Sequence, residues 1–235
     1  MLPATRSPSG RDAVNLIIPA HNEAEHVAAI VRTALRASLV GRVILVDDGS
    51  TDGTAVAAAA VDSRLEVLRT QVNHGKAAAL LLGIEAAGSD LIAFLDADLI
   101  GLRPEHIDDL IRPVLQGECD MTLGLFRGGR LRTDLAHRTT PYLSGQRCLR
   151  WEAFRDTPLL ARSRYGVEVA LSLHARRCGL RVQSVVWNAV THVTQPEKHG
   201  VIRGSLSYLR MYAEILLYVL RLGLEPFGRR GPRPA

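Results

Sequence analysis

Four short apolar runs in the first hundred residues, separated by polar turns and helix-like stretches, constrain the fold more than any other feature of the sequence. Short apolar runs bounded by turn residues are typical of buried strands, and strands that alternate with helices form parallel sheets. We therefore predict an α/β fold with a mostly parallel, doubly wound (Rossmann-like) sheet flanked by helices. The 235 residues, 47% of them apolar, suit one domain with a buried core. The runs occupy residues 14–18, 42–46, 65–68 and 91–95.

Two carboxylates follow the fourth run, since Asp96 and Asp98 flank Ala97 where that strand would leave the sheet. Ligands of open α/β sheets bind at the carboxyl ends of the strands. Acidic groups this close repel each other, and a divalent cation with the phosphates it carries would relieve the repulsion. We predict a metal–diphosphate site here. The alternative, which so short a pattern allows, is a solvated pair of aspartates at a strand end.

Polar residues also follow the first two strands. We expect Pro19 to end the first strand, because proline cannot donate to a strand ladder. Asn22 is predicted to cap a helix that runs to about Ala37. The turn at 47–54, rich in carboxylates, hydroxyls and glycines, could bind a pyrimidine or a ribose, or could be a plain turn with a helix cap.

The segment at 73–76 places Gly75 and Lys76 at the start of a helix predicted for residues 77–87. Glycine lets a ligand approach the backbone, and the free N–H groups of a helix start favour anions. A lysine in this position opposes the helix dipole. A bound phosphate would explain the lysine, and plain solvent exposure is the alternative.

In this order and spacing, the motifs resemble the nucleotide-sugar domain of family 2 glycosyltransferases, which have the GT-A fold. The resemblance covers residues 14 to 126. Four motifs together are far more specific than any one of them. They are Ile-Ile-Pro-Ala-His-Asn-Glu at 17–23, Val-Asp-Asp-Gly-Ser-Thr-Asp-Gly-Thr at 46–54, Asn-His-Gly-Lys at 73–76 and Asp-Ala-Asp at 96–98.

This resemblance implies a hexosyltransferase that uses a nucleotide sugar together with Mg²⁺ or Mn²⁺. Asp98 would coordinate the metal ion, and Asp96, with Ala97 beside it, would approach the ribose or the metal. Asp48, with Asp47 nearby, would read the base, most often uracil. The other nucleotide-binding residues implied are Pro19, Ala20, Glu23, Gly75 and Lys76.

The second half is similar to glucosyl-3-phosphoglycerate synthases and their relatives, through residues 165–171 and His192. The similarity implies that His192 is a metal ligand beside Asp98, and that Glu168 is a catalytic residue next to the sugar and acceptor. The segment 125–146 does not reproduce the acceptor loop of those enzymes, and the Glu-Asp pair of inverting family 2 enzymes is missing near Glu168. The sequence therefore leaves open the sugar, the acceptor, and whether transfer inverts or retains.

The segment after a fifth strand predicted at 120–126 is basic and glycine-containing. Arg130 in this segment could contact an acceptor phosphate as part of a lid, or could lie on a solvated surface. Ser144 or Gly145 is predicted to cap a helix and, with Arg147, to face the acceptor. Further on, we predict a helix at 166–178 and extended segments at 182–187 and 189–193.

The predicted partners are a UDP- or GDP-sugar and an acceptor that could be phosphorylated, because the net charge of +5 favours anions. No nucleic acid partner is expected. Scattered cysteines and an N-terminus without an apolar core indicate a cytoplasmic protein, with peripheral membrane contact and a homodimer left open. The predicted parts are a disordered tail (1–12), a nucleotide-sugar-binding half (13–126), an acceptor-binding half of the same domain (127–200), an amphipathic helix (201–225) and a basic tail (226–235).

The sequence allows two other functions, a nucleotidyltransferase and a catalytically silent binding protein, but favours neither. A nucleotidyltransferase would usually carry a glycine-rich basic loop after its first strand, where this chain has Pro-Ala-His-Asn-Glu at 19–23. A catalytically silent nucleotide-sugar-binding protein would not need the acidic pair at 96–98.

Overall fold

The computed structural model describes residues 14–127, 144–157 and 167–192. The predicted tail at 1–12, Arg130, the amphipathic helix at 201–225 and the basic tail at 226–235 lie outside these residues. The membrane contact and the homodimer, which the predicted C-terminal helix would provide, stay predictions for the same reason.

The strands of the described residues follow the apolar runs of the sequence closely. They are β1 (Val14–Ala20), β2 (Val40–Asp48), β3 (Leu65–Thr70), β4 (Leu91–Phe94), β5 (Leu99–Ile100), β6 (Met121–Arg127), β7 (Arg147–Arg150), β8 (Val182–Asn188) and β9 (Thr191–His192).

The helices lie between them, and within the described residues none is long and apolar enough to cross a membrane. They are α1 (Val27–Ala34), α2 (Thr54–Ala59), α3 (Lys76–Ala87), α4 (Pro104–Leu115) and α5 (Val167–Cys178), with a 3₁₀ turn at Trp151–Ala153.

Seven strands form one sheet in the order β3-β2-β1-β4-β7-β6-β8. The first four are mutually parallel, β7 runs antiparallel to β4 and β6, and β8 is parallel to β6. This confirms the predicted α/β fold with a mostly parallel sheet. Strands from both predicted halves share the sheet.

Helices cover both faces of the sheet, because successive side chains of a strand point to opposite faces. In β1, Leu16 and Ile18 pack in one buried cluster with residues of α1 and α4, such as Ile30 and Leu110. Ile17 points the other way, into a second cluster formed with α3 and α5. The sheet is therefore doubly wound, and the chain changes face between β1 and β4, where ligands of such sheets bind.

The first strand continues past Pro19, contrary to the prediction. Pro19 and Ala20 still pair with Val46 and Asp47 of β2. The carbonyl of Ile17 accepts from Leu95 on the β4 side, so Pro19, two residues on, turns its nitrogen to that side. The β1–β4 ladder has already ended there, and no donor is needed.

Asn22 does not cap the first helix, which begins at Val27 with His26 at its N-cap and ends at Ala34 rather than near Ala37. Asn22 has a φ of 57°, in the left-handed region that asparagine tolerates better than most residues. It lies in a turn that contacts the 47–54 segment instead.

A small second sheet brings the far end of the described chain back to the fourth strand. Leu99 of β5 pairs with His192 of β9, and the two strands run antiparallel. Because Asp98 immediately precedes β5, this pairing places His192 beside it.

Helix α4 is tied to the turn before β2 by one side chain. Asp108 accepts hydrogen bonds from the main-chain N–H (3.1 Å) and the hydroxyl (2.8 Å) of Ser38 and from the N–H of Leu39 (2.9 Å). This carboxylate fixes the helix that covers β4 and β6.

We predict that Asp108→Ala lowers the free energy of unfolding by about 1–3 kcal/mol, because it leaves main-chain donors without their partner. The neighbouring Asp109 is exposed on the same helix, so Asp109→Ala should change it by less than about 0.5 kcal/mol. Urea unfolding of both variants measures the difference, and equal effects would show that the Asp108 contacts do not hold the helix.

Candidate active site

The carboxyl ends of β1, β2 and β4 meet at one edge of the sheet, as predicted, and the second strand reaches further than predicted. Asp47 and Asp48 belong to β2, paired with Arg69 and Thr70 of β3, rather than to the turn. Both are buried, at 0% and 3% exposure.

Asp48 organises the loop that leads into α3. Its carboxylate accepts from the hydroxyl of Thr70 (3.1 Å) and from the main-chain N–H groups of His74 (3.0 Å) and Gly75 (2.7 Å). Gly75 has a φ of 95°, which a residue with a side chain rarely adopts. Asp48 therefore has protein partners around its oxygens, and its predicted contact with a base remains a prediction.

The turn after β1 is locked to the turn after β2 by consecutive main-chain donors. The N–H of Asn22 donates to Ser50 (2.9 Å), that of Glu23 to Thr54 (2.9 Å) and that of Ala24 to Asp52 (3.0 Å). Two of the predicted nucleotide motifs thus form one rigid unit at the sheet edge.

Lys76 joins the two halves of the site. Its ammonium donates to Asp96 Oδ1 at 2.6 Å and to Glu168 Oε1 at 2.6 Å. Asp96 follows β4, and Glu168 lies in the first turn of α5. Because Lys76 itself begins α3, it connects a helix of the first half to a helix of the second. These two carboxylates account for a lysine at the start of α3, and its predicted place beside the nucleotide stays a prediction.

Asp96, Asp98 and His192 come together as predicted. One potential ligand atom from each lies within 4.8 Å of the others, and His192 Nδ1 is 3.2 Å from Asp98 Oδ1. Ala97, between the aspartates, is buried in the core on one face of the sheet. Two carboxylates and one imidazole form a donor set that suits Mn²⁺ or Mg²⁺, so these residues could hold the ion.

The electrostatics of the cluster favour positive charge. Burial opposes ionisation of Asp96, but Lys76 and His192 outweigh it and lower the pKa of this carboxyl. Burial likewise opposes protonation of His192, but the hydrogen bond that the imidazole donates to Asp98 and the charge of Asp96 outweigh it and raise the pKa of the imidazole. A bound divalent cation would supply the charge that these groups attract.

The segment at 144–147 was predicted to open a helix, but it leads into strand β7 instead. Ser144 donates to the carbonyl of Gly124 (2.5 Å), and Gly124 donates back to the carbonyl of Gln146 (2.8 Å). These bonds start the pairing of β7 with β6. Ser144 or Gly145 was predicted to cap a helix, but both lie in the segment that leads into an antiparallel strand.

Two of the predicted acceptor residues, Gly145 and Arg147, have different surroundings: Gly145 packs against Lys76 and Asp96, and Arg147 is buried against α5. A Cβ added to Gly145 would lie 2.7 Å from Lys76 Nζ and closer still to Asp96, so a side chain here would displace one of them. Arg147 is 1% exposed and donates to Ser144 (2.8 Å) and Ser172 (3.0 Å). Burial lowers the pKa of Arg147 to about 10. Its contact with an acceptor stays a prediction. In this structure its hydrogen bonds connect the segment before β7 to helix α5.

Sequence reasoning missed Gln146 and Phe126. Gln146 is fully buried and contacts Asp96, while the ring of Phe126 meets that of His192 edge-on at 4.9 Å. The start of an antiparallel strand lies at the same sheet edge as the ends of its parallel neighbours. Gln146 could have been found if β7 had been recognised as antiparallel.

Residues 15–176 match the family model of glycosyl transferase family 2. The chain is 36% identical over 114 residues to glucosyl-3-phosphoglycerate synthase of Mycolicibacterium smegmatis, covering 46% of this chain and 37% of that protein. It is 28% identical over 258 residues to undecaprenyl-phosphate 4-deoxy-4-formamido-L-arabinose transferase of Salmonella choleraesuis, covering 91% and 78%. The match to the first of these relatives thus spans little more than a third of its length.

Solved structures of glucosyl-3-phosphoglycerate synthase from Mycobacterium tuberculosis share the fold. The complex with Mn²⁺, UDP and phosphoglyceric acid matches with a TM-score of 0.73 at 27% identity, covering 93% of this chain and 81% of that chain. The complex with Mg²⁺ and UDP matches with a TM-score of 0.71 at 27% identity, covering 91% and 79%. Both cations that the sequence predicts occur in these relatives.

We predict that Lys76→Met destabilises the protein by about 3 kcal/mol at pH 7 in the presence of a chelator, because it leaves two buried carboxylates without their cation. In the wild type, the raised pKa of Lys76 and the lowered pKa of Asp96 stabilise the fold between their ordinary values, 10.5 and 3.8. In the variant, burial still opposes ionisation of Asp96 and its main opposing charge is lost, so we expect the pKa of this carboxyl to rise. The deficit should therefore shrink as the pH falls from 7 towards 4.

Urea unfolding across this pH range measures the deficit, and Arg64→Met, which breaks an exposed ion pair with Asp62, is the matched control and should change stability far less. A deficit that is independent of pH would contradict the assignment of Lys76 as the counterion.

Proposed function

This chain belongs to glycosyltransferase family 2, and on that premise we propose that it transfers a hexose from a UDP-sugar to the hydroxyl group of an acceptor, with Mg²⁺ or Mn²⁺ as cofactor. The observation that carries the proposal is the convergence of Asp96, Asp98 and His192 at the ligand-binding edge of a doubly wound sheet. A GDP-sugar donor is the alternative; the UDP bound in the related crystal structures favours uridine.

The donor site of the proposal is the locked edge formed by the first two turns and the 73–76 loop. Asp96, Asp98 and His192 would hold the cation. When bound, the cation would neutralise the diphosphate leaving group. The base and ribose would lie against the ends of β1 and β2 and the start of α3, next to Pro19, Ala20, Glu23, Asp47, Asp48 and Gly75.

Glu168 is proposed to orient or deprotonate the acceptor hydroxyl. The bond from the acceptor oxygen to the anomeric carbon forms, the bond from that carbon to the phosphate oxygen breaks, and UDP leaves. The hydroxyl proton passes to Glu168 if this residue is the base, or to the departing UDP if it only orients the acceptor. Glu168 is held by Lys76 at 2.6 Å, and through Lys76 it is fixed relative to Asp96 on the donor side. Catalysis of this type depends on holding reactants in place, and the shared lysine would provide that.

A phosphorylated acceptor is supported by the relatives. One crystal structure contains phosphoglyceric acid, and another relative is named for undecaprenyl phosphate. The net charge of +5 agrees with an anionic acceptor. Gly145, which packs against Lys76 and Asp96, would let the acceptor approach these side chains only through its main chain; Arg130 would contribute from outside the described residues.

We predict that the protein releases UDP from a UDP-hexose in the presence of Mn²⁺ and 3-phosphoglycerate or undecaprenyl phosphate. Asp98→Asn should lower kcat/KM by about 100-fold or more, since it removes charge from the site of the leaving group. Asp109→Asn, on the exposed face of α4, is the matched control. Coupled detection of UDP, with and without a chelator, measures both variants, and unchanged turnover by Asp98→Asn would refute the metal site.

Two other products would point to different functions. Pyrophosphate released from a nucleoside triphosphate and a sugar phosphate would identify a nucleotidyltransferase. Tight binding of UDP with no turnover on either acceptor class would identify a catalytically silent binding protein.

A further inference from the structure

We propose that Gln146 is a positioning residue of the metal site. Its side chain holds Asp96 in the orientation that binds the cation, and it also contacts His192. The inference rests on the proposed function, since it concerns the same cation. It adds a residue that lies outside the acidic motif and that none of the motifs of the sequence contains.

The side-chain amide of Gln146 contacts Asp96 twice. Its Oε1 accepts from the main-chain N–H of Asp96 at 3.0 Å, and its Nε2 donates to Asp96 Oδ2 at 2.9 Å. The same Nε2 lies 3.4 Å from His192 Nε2. One amide therefore touches two of the three residues that could hold the ion.

These contacts need an amide. The N–H of Asp96 can only donate and the carboxylate can only accept, so the partner must offer an acceptor and a donor side by side. The two bonds also fix which end of the amide is oxygen. Oδ1 of Asp96 is held by Lys76, so both carboxylate oxygens are anchored and the plane of the carboxylate is set.

Gln146 is itself rigidly placed. It is 0% exposed, its N–H donates to the hydroxyl of Ser144 at 3.3 Å, and its carbonyl accepts from Gly124 at 2.8 Å. It immediately precedes β7, whose first residue, Arg147, pairs with Phe94 at the end of β4. The amide is thus built into the sheet, where a ligand-orienting group is most effective.

The test compares Gln146→Met, which keeps the length of the side chain and loses both bonds, with Gln183→Met on the exposed edge strand β8. Binding of Mn²⁺ in the presence of saturating UDP is followed by the loss of the free-ion signal in electron paramagnetic resonance. Removing a partner of a ligand typically weakens metal binding about 10- to 100-fold. We expect that loss for Gln146→Met and none for Gln183→Met.

The dependence of turnover on Mn²⁺ concentration provides a second measurement, because a purely structural role of Gln146 would not shift it. At Mn²⁺ concentrations that saturate Gln146→Met, kcat should return towards the wild-type value, while half-saturation should move to higher Mn²⁺. If Gln146→Met does not fold, Gln146→Asn decides, because its shorter amide stays polar and cannot span the two bonds; it too should weaken Mn²⁺ binding.

Folded Gln146→Met or Gln146→Asn with wild-type affinity for Mn²⁺ would overturn the role of Gln146 and leave the proposed function intact. An equal loss in Gln183→Met would overturn it as well. A wild-type protein that binds no Mn²⁺ with UDP would overturn the proposed function, and the role of Gln146 with it.

Discussion

Positive charge is the requirement on which this site depends. Asp96, Asp98 and Glu168 gather at one edge of the sheet, with side chains no more than 18% exposed. Carboxylates this close stay ionised only if cations lie between them. Lys76 supplies one such charge, between Asp96 and Glu168. Beside Asp98, the raised pKa of His192 shows that the two aspartates attract positive charge there as well. A divalent ion would complete the balance.

The fold brings these charges together through connections that are far apart in the sequence. Lys76 lies at the start of α3, Asp96 follows β4, and Glu168 lies at the start of α5. The small β5–β9 sheet returns His192 to Asp98. Contacts between the two halves of the site therefore fix both of them, and these contacts give many of the polar side chains here a partner within the protein. Asp48 is the clearest case: its carboxylate shapes the loop that presents Gly75 and Lys76.

Much of this edge of the sheet could be predicted from the sequence, because its motifs lie at the end of, or shortly after, short apolar runs whose period and length mark strands. The doubly wound sheet, Asp96 with Asp98, and the arrival of His192 beside them are borne out by the structure. Two predictions were wrong: that Asn22 caps a helix, and that a helix starts at 144–147. Both depended on a local pattern that long-range hydrogen bonds override. Gln146 and the partners of Asp48 could not be predicted, because antiparallel pairing of β7 and contacts between distant loops leave no periodic trace in the sequence.

The central claim is that a cation held by Asp96, Asp98 and His192 bridges the protein to a nucleotide diphosphate. Crystals grown with Mn²⁺ and UDP, measured near the manganese absorption edge, test it most directly. We expect one strong anomalous peak within coordination distance of Asp96, Asp98, His192 and the diphosphate oxygens. A peak elsewhere, or UDP bound at the sheet edge with no manganese between its phosphates and these residues, would contradict it.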